Sequence, residues 1–152
     1  MNRLLFLCLA LIMSCTATPT QKSMDSKKNN EILISESQGG GGEKSFVILH
    51  NEAEFQKAIK GNTTVIELDK EPVYPAFPKN KKVVLYNLGT FTSGEHKITQ
   101  IKNISVKDNV LYVEVPQVES GGMGIAVMSN PWFIFTVPSN YQFTSVELKY
   151  SK

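Results

Sequence analysis

The stretch Gly121–Val137, GGMGIAVMSNPWFIFTV, constrains this chain more than any other part of it. Two apolar runs, Ile125–Met128 and Trp132–Val137, are separated by Ser129-Asn130-Pro131, with a glycine pair before the first and Pro138 after the second. Runs this short, bounded by Gly and Pro and rich in aromatic and β-branched residues, predict core strands rather than helix. Proline brings no N–H to a ladder, so the second strand is expected to begin after Pro131.

The 152 residues fit one domain once the front of the chain is set aside. Met1–Ser14 carries one positive charge, Arg3, followed by an apolar run from Leu4 to Met13. That is the pattern of a secretory signal, and the run is short of the ~20 residues a membrane span needs. Ile12–Cys15 resembles a bacterial lipobox, which implies cleavage before Cys15 and lipid attachment at its thiol. A plain secretory signal with an incidental cysteine is the alternative. The expected division is therefore a signal over 1–14, a polar tether over 15–31 and a folded domain over 32–152. The cysteines are Cys8 and Cys15 alone, so processing would leave no intrachain disulfide and no thiolate for metal or nucleophilic work. More than one acyl chain at Cys15 would suffice for stable anchoring, placing the protein in the bacterial cell envelope, on the outer membrane if the cell is Gram-negative.

Charge excludes one class of partner. Of 16 basic residues only Arg3 is arginine, so the mature part holds scattered lysines, one more than its 14 acids. Nucleic-acid binders concentrate basic residues on one face and use arginine forks, and neither feature is present here. The partners expected are a membrane, through lipid on Cys15, and a protein.

Further strands are expected at Glu31–Ser37, Lys44–His50, Thr63–Leu68, Lys82–Leu88, His96–Val106 (with a bulge), Val110–Val115 and Phe143–Tyr150. The four glycines Gly39–Gly42 read as a linker or as a hairpin-like connection between the first two strands. A phosphate loop would need a helix after them, and a strand pattern follows instead. Asn51–Lys60 is the one helix predicted: Asn51 caps it, Glu54 completes a capping box, and Phe55, Ala58 and Ile59 share a face. Gly61 is expected to supply a left-handed stop. Pro72–Pro78 should be extended, with Tyr74 and Phe77 pinned onto the core, and Asp108-Asn109 marks a turn. The sum is a mainly β fold, an antiparallel β-sandwich or partly open barrel with one short α-helix.

Four stretches, Val83–Gly89 (VVLYNLG), Thr92–Ile98 (TSGEHKI), Leu111–Val115 (LYVEV) and Pro131–Pro138 (PWFIFTVP), resemble in order and spacing the PrcB-type proteins, whose name comes from a protease complex subunit. The likeness runs from about Ile32 to near the C-terminus, and Glu95 and His96 stand where that family has a second glycine and a tyrosine. It implies an exported, non-catalytic lipoprotein that holds or stabilises another surface protein such as a protease. A second likeness joins Thr92-Ser93-Gly94, Gly121-Gly122-Met123-Gly124 and Asn130-Pro131-Trp132, which resemble the three loops of chagasin-like cysteine-protease inhibitors. It implies an immunoglobulin-like sandwich whose loops wedge into a protease cleft. Thr92, Ser93, Gly94, Gly121, Gly122, Asn130, Pro131 and Trp132 are the partner-contact candidates on this reading. A rigid Pro-Trp pair makes a strong anchor, and the alternative is that Trp132 packs in the core.

No catalytic constellation stands beside these loops. His50 and His96 lack metal-ligand spacing, Ser93 and Ser120 lack a nucleophile elbow, and Glu67 and Asp69 read as solvated charges. Neither enzyme activity, a cofactor nor a metal is expected.

Overall fold

The computed structural model describes residues 30–63, 74–92, 96–117 and 128–152. Seven strands and one helix follow one another in the described residues: β1 (Ile32–Glu36), β2 (Lys44–Leu49), α1 (Glu52–Asn62), β3 (Lys81–Leu88), β4 (Asn103–Lys107), β5 (Val110–Pro116), β6 (Trp132–Pro138) and β7 (Ser145–Ser151). They form two sheets, one in the order β1-β6-β3-β2 and the other β4-β5-β7. Every pairing is antiparallel except β5 with β7. The fold is mainly β and sandwich-like, with a single short helix, and is not a closed barrel.

Strand β6 is the centre of this arrangement, and it begins directly after Pro131. Its odd residues Phe133, Phe135 and Val137 join Val84, Tyr86 and Leu88 of β3 in packing against the three-stranded sheet. Its even residues Trp132 and Ile134 join Val83 and Leu85 on the opposite face, under Phe55 and Ile59 of α1. A strand covered on both faces reads as an unbroken apolar run, not as an alternation. Each aromatic or branched side chain fully buried here contributes about 1.5–3 kcal/mol over leaving it in water. Thr136 is the polar exception on β6. Its N–H donates to the Glu31 carbonyl (2.9 Å) and its hydroxyl accepts from Glu31 N–H (3.1 Å), tying the start of β1 to the central strand.

The helix begins as its cap residues dictate. The Asn51 side chain accepts from Glu54 N–H at 2.9 Å, while Glu54 Oε2 takes the His50 N–H at 2.9 Å, one residue before the usual capping-box donor. Its end differs from expectation. Gly61 is not a left-handed stop; it lies inside the helix, which runs to Asn62 and is capped by extended Thr63. Polar side chains replace the glycine: Asn62 Nδ2 donates to the Ala58 carbonyl (2.8 Å), and Thr63 gives both its N–H (2.9 Å) and its hydroxyl (2.7 Å) to Ile59. Phe77 rests edge-on against Phe55 at 5.9 Å between ring centroids, and Tyr74 packs nearby, so the proline-rich segment is pinned as expected.

Four other expectations are corrected. Gly39–Gly42 is no hairpin, because β1 and β2 occupy opposite edges of the same sheet. The glycines instead form a strap across the sheet end where β3 finishes and β6 starts. A Cβ on Gly39 (φ +97°) would sit 1.7 Å from the Asn62 carbonyl oxygen, and one on Gly40 would sit 2.8 Å from that of Asn130. Only residues without side chains let the backbone pass so close. The strand expected over His96–Val106 is limited to β4; Ile98, Ile101 and Ile104 recur every third residue, a spacing that pins an irregular segment to the core but cannot line one face of a strand. Met128 is not part of a core strand but is 65% exposed. Finally, β7 starts at Ser145 and runs parallel to β5, with Thr144 N–H donating to the Asn109 carbonyl (2.8 Å) beside the β4–β5 turn. That turn places both Asp108 (φ 52°) and Asn109 (φ 61°) in the left-handed region, as a two-residue hairpin requires. The strand expected at Thr63–Leu68 lies outside the described residues beyond Thr63.

Candidate functional site

The strap end of the sandwich brings the segment through Thr92 beside the segment through Asn130. After β3 the chain turns at Gly89 (φ +86°) and continues through Thr90, Phe91 and Thr92. The segment entering β6 runs alongside it, and the two exchange a reciprocal pair of backbone hydrogen bonds, Phe91 N–H to Ser129 O (2.8 Å) and Ser129 N–H to Phe91 O (2.9 Å). Thr90 fastens both segments to the strap. Its N–H donates to the Gly42 carbonyl (3.1 Å), and its hydroxyl lies 2.8 Å from the Asn130 side-chain oxygen. From the strap side, Gly40 N–H donates to Asn130 O (2.8 Å) and Gly41 N–H to the Asn87 side chain (3.2 Å). The result is a rigid, hydrogen-bonded footing of the kind that carries recognition loops.

Of the candidate contact residues, Thr92 and Asn130 lie on this footing, Thr92 exposed and Asn130 half-buried. Ser93, Gly94, Gly121, Gly122 and Cys15 lie outside the described residues. Pro131 is buried, and Trp132 is fully enclosed, its indole N–H donating to the Gln38 carbonyl at 2.9 Å. Trp132 is therefore part of the packing beneath α1, and its ring has no surface to offer a cleft.

Residues outside the set of expected contacts complete the site. Met128 stands exposed beside the loop base, its carbonyl accepting from Gln38 Nε2 at 3.1 Å. Phe91 stacks on His96 with ring centroids 3.8 Å apart, which closes the base of the loop leaving Thr92. The length of the glycine run was the available signal, since four consecutive permissive residues suit a strap crossing other backbone better than a two-strand turn.

The electrostatics here are mild. Glu36 and Lys97 form a 3.6 Å ion pair with side chains 47% and 40% exposed, a geometry that contributes little in water. The carboxylates near His50 serve structure: Glu54 caps the helix, and Glu52 accepts the Phe77 N–H at 3.0 Å. Among the described residues no group of three or more His, Cys, Asp or Glu is placed to hold a metal ion, and no helix is long and apolar enough to cross a membrane. The shifted ionisations belong to a different place, the open side of the sandwich near β7. Burial raises Tyr86 above 10.0, helped by the charges of Tyr150 and Glu147, and burial raises Tyr150 as well.

Searches of family models, of curated proteins and of solved structures return no match for this chain. What the fold and site define is a class: a sandwich-like β domain with one end braced by hydrogen bonds among its connecting segments.

Proposed function

We propose that the chain is an exported, lipid-anchored, non-catalytic protein-binding module of PrcB-like kind, an accessory subunit that holds or stabilises a cell-surface protein such as a protease. The observation that carries this reading is the braced pair of segments at the strap end. The Phe91–Ser129 bridge fixes two loop stems side by side, with Thr92 and Met128 exposed on them. Exposed methionine is a soft, adaptable contact for another protein's apolar surface, and loops on a rigid scaffold lose little entropy on binding. Lipid on Cys15, beyond a polar tether, would hold the domain at the membrane without a span.

The test has two arms. Cys15→Ala is expected to abolish incorporation of labelled palmitate and to release the protein from the membrane fraction. Affinity capture from detergent-solubilised envelopes is expected to retain one protein reproducibly with the wild type and to lose it with Met128→Asp or Thr92→Asp. Both variants should keep the buried emission of Trp132. Label uptake without Cys15 overturns the anchor. Failure to retain any protein, or equal retention by the loop variants, overturns the binding site.

A further inference from the structure

Strand β7 is an edge of the three-stranded sheet, and among the described residues no strand pairs with its outer side. Which backbone groups face outward follows from its parallel pairing with β5. Gln117 N–H donates to Ser151 O at 3.0 Å, so Ser151 directs its hydrogen-bonding groups toward β5. Residues alternate in this respect. Ser145, Glu147 and Lys149 therefore do the same, while Val146, Leu148 and Tyr150 present N–H and C=O to the open side. An edge left in this state is a template for another strand.

The strand is also complementary to itself. Read as SVELKYS and turned about Leu148, it sets Ser145 against Ser151, Val146 against Tyr150, Glu147 against Lys149, and Leu148 against its own copy. We propose that β7 is a homodimerisation edge: two copies of this chain pair their β7 strands antiparallel about a two-fold axis at Leu148, giving one continuous six-stranded sheet (two of three strands). In that register the outward-facing residues Val146, Leu148 and Tyr150 form the hydrogen-bonded pairs, supplying about six interchain bonds at two per pair. Glu147 and Lys149 fall in the non-hydrogen-bonded pairs, where side chains approach most closely, and the symmetry makes two such ion pairs.

Three observations favour a second copy over another occupant. The other edge strands carry one charge each, Glu36 on β1, Lys44 on β2 and Lys107 on β4, so none can satisfy its own charges by self-pairing. Beside β7 lies a groove of about 330 Å³ lined by Phe46, Tyr86, Leu88, Leu148 and Tyr150, which the partner's β7 would roof over. Tyr150, 49% exposed, is one of the large apolar side chains the monomer leaves in water, and it would lie against Val146 of the second copy.

Sedimentation equilibrium of the full chain, in a density-matched detergent under reducing conditions, tests this directly. The wild type is expected to show a monomer–dimer equilibrium. Glu147→Lys or Lys149→Glu each replaces two attractive pairs by two repulsive ones and should weaken the dimer about tenfold. The double variant Glu147→Lys/Lys149→Glu restores both pairs in exchanged order and should return the affinity to within about twofold. All these positions are exposed, and unchanged Trp132 emission verifies the fold. A chain that stays monomeric overturns the proposal, as does a dimer indifferent to the single changes or one not rescued by the double change.

Discussion

The strap end and the β7 edge treat exposed backbone in opposite ways. At the strap end, the carbonyls and amides of Gly40, Gly42, Thr90, Phe91, Ser129 and Asn130 satisfy one another within the chain. At β7, one side of the strand is satisfied by β5 and the other faces outward. A surface of the first kind recognises through its side chains, because its main chain is already committed. A surface of the second kind recognises through its main chain, with side chains setting register and partner. The two proposed contacts would thus use unlike parts of the chain, side chains at one and main chain at the other.

The contrast can be broken most forcefully from beneath the strap. Trp132→Ala empties a fully buried site and leaves the Gln38 carbonyl without its donor. A loss of about 3–5 kcal/mol in unfolding free energy is expected, followed by circular dichroism in urea. Loss of folding would place Trp132 in the framework, whereas a stable fold with impaired capture of a partner would return it to the contact surface. Next comes the strap itself. Gly39→Ala must accommodate both a left-handed φ and a clash with the Asn62 carbonyl, and should cost about 2–4 kcal/mol. Gly42→Ala, whose added methyl would meet only the Thr90 hydroxyl at 3.5 Å, should change stability by less than about 1 kcal/mol. Equal effects at the two glycines would mean that the strap is not held down as described.

The smallest effect concerns the open side. The Tyr86 hydroxyl titrates above 10.0 in the native protein, chiefly because it is buried. A group whose native pKa is raised leaves stability intact below its unfolded pKa and removes it as pH rises through the native one. Stability should therefore hold up to about pH 10 and fall beyond it, and Tyr86→Phe should flatten that alkaline decline in a pH series of urea melts.

The parts of this fold legible in the sequence are those whose cause is local. Trp132–Val137 announces a doubly covered strand because nearly every residue in it is apolar. Asn51 and Glu54 announce a helix start because the cap is made three residues apart, and Asp108-Asn109 tolerate the left-handed turn on their own. The errors fall where distant backbone decides. Gly39–Gly42 looks like a hairpin until one knows that β6 and β3 lie between its flanking strands. Gly61 is a local exception, looking like a stop until Asn62 and Thr63 are seen to cap the Ala58 and Ile59 carbonyls. The direction of β7 is fixed by its parallel pairing with β5 from Ser145 to Ser151, which no periodicity carries. At the candidate site the same division holds: Thr92 and Asn130 stand out through their likeness to inhibitor loops, but the roles of Thr90 and Met128 arise only from the bridge that brings their segments together.

The pairing of Ile32 with Phe135 spans most of the domain, and this sets an order of events during synthesis. The first strand off the ribosome must wait until β6 has been made before it gains its neighbour, and closing so long a loop slows that step. Until then the leading segment has no ladder to join, and the apolar face it will share with β6 stays uncovered.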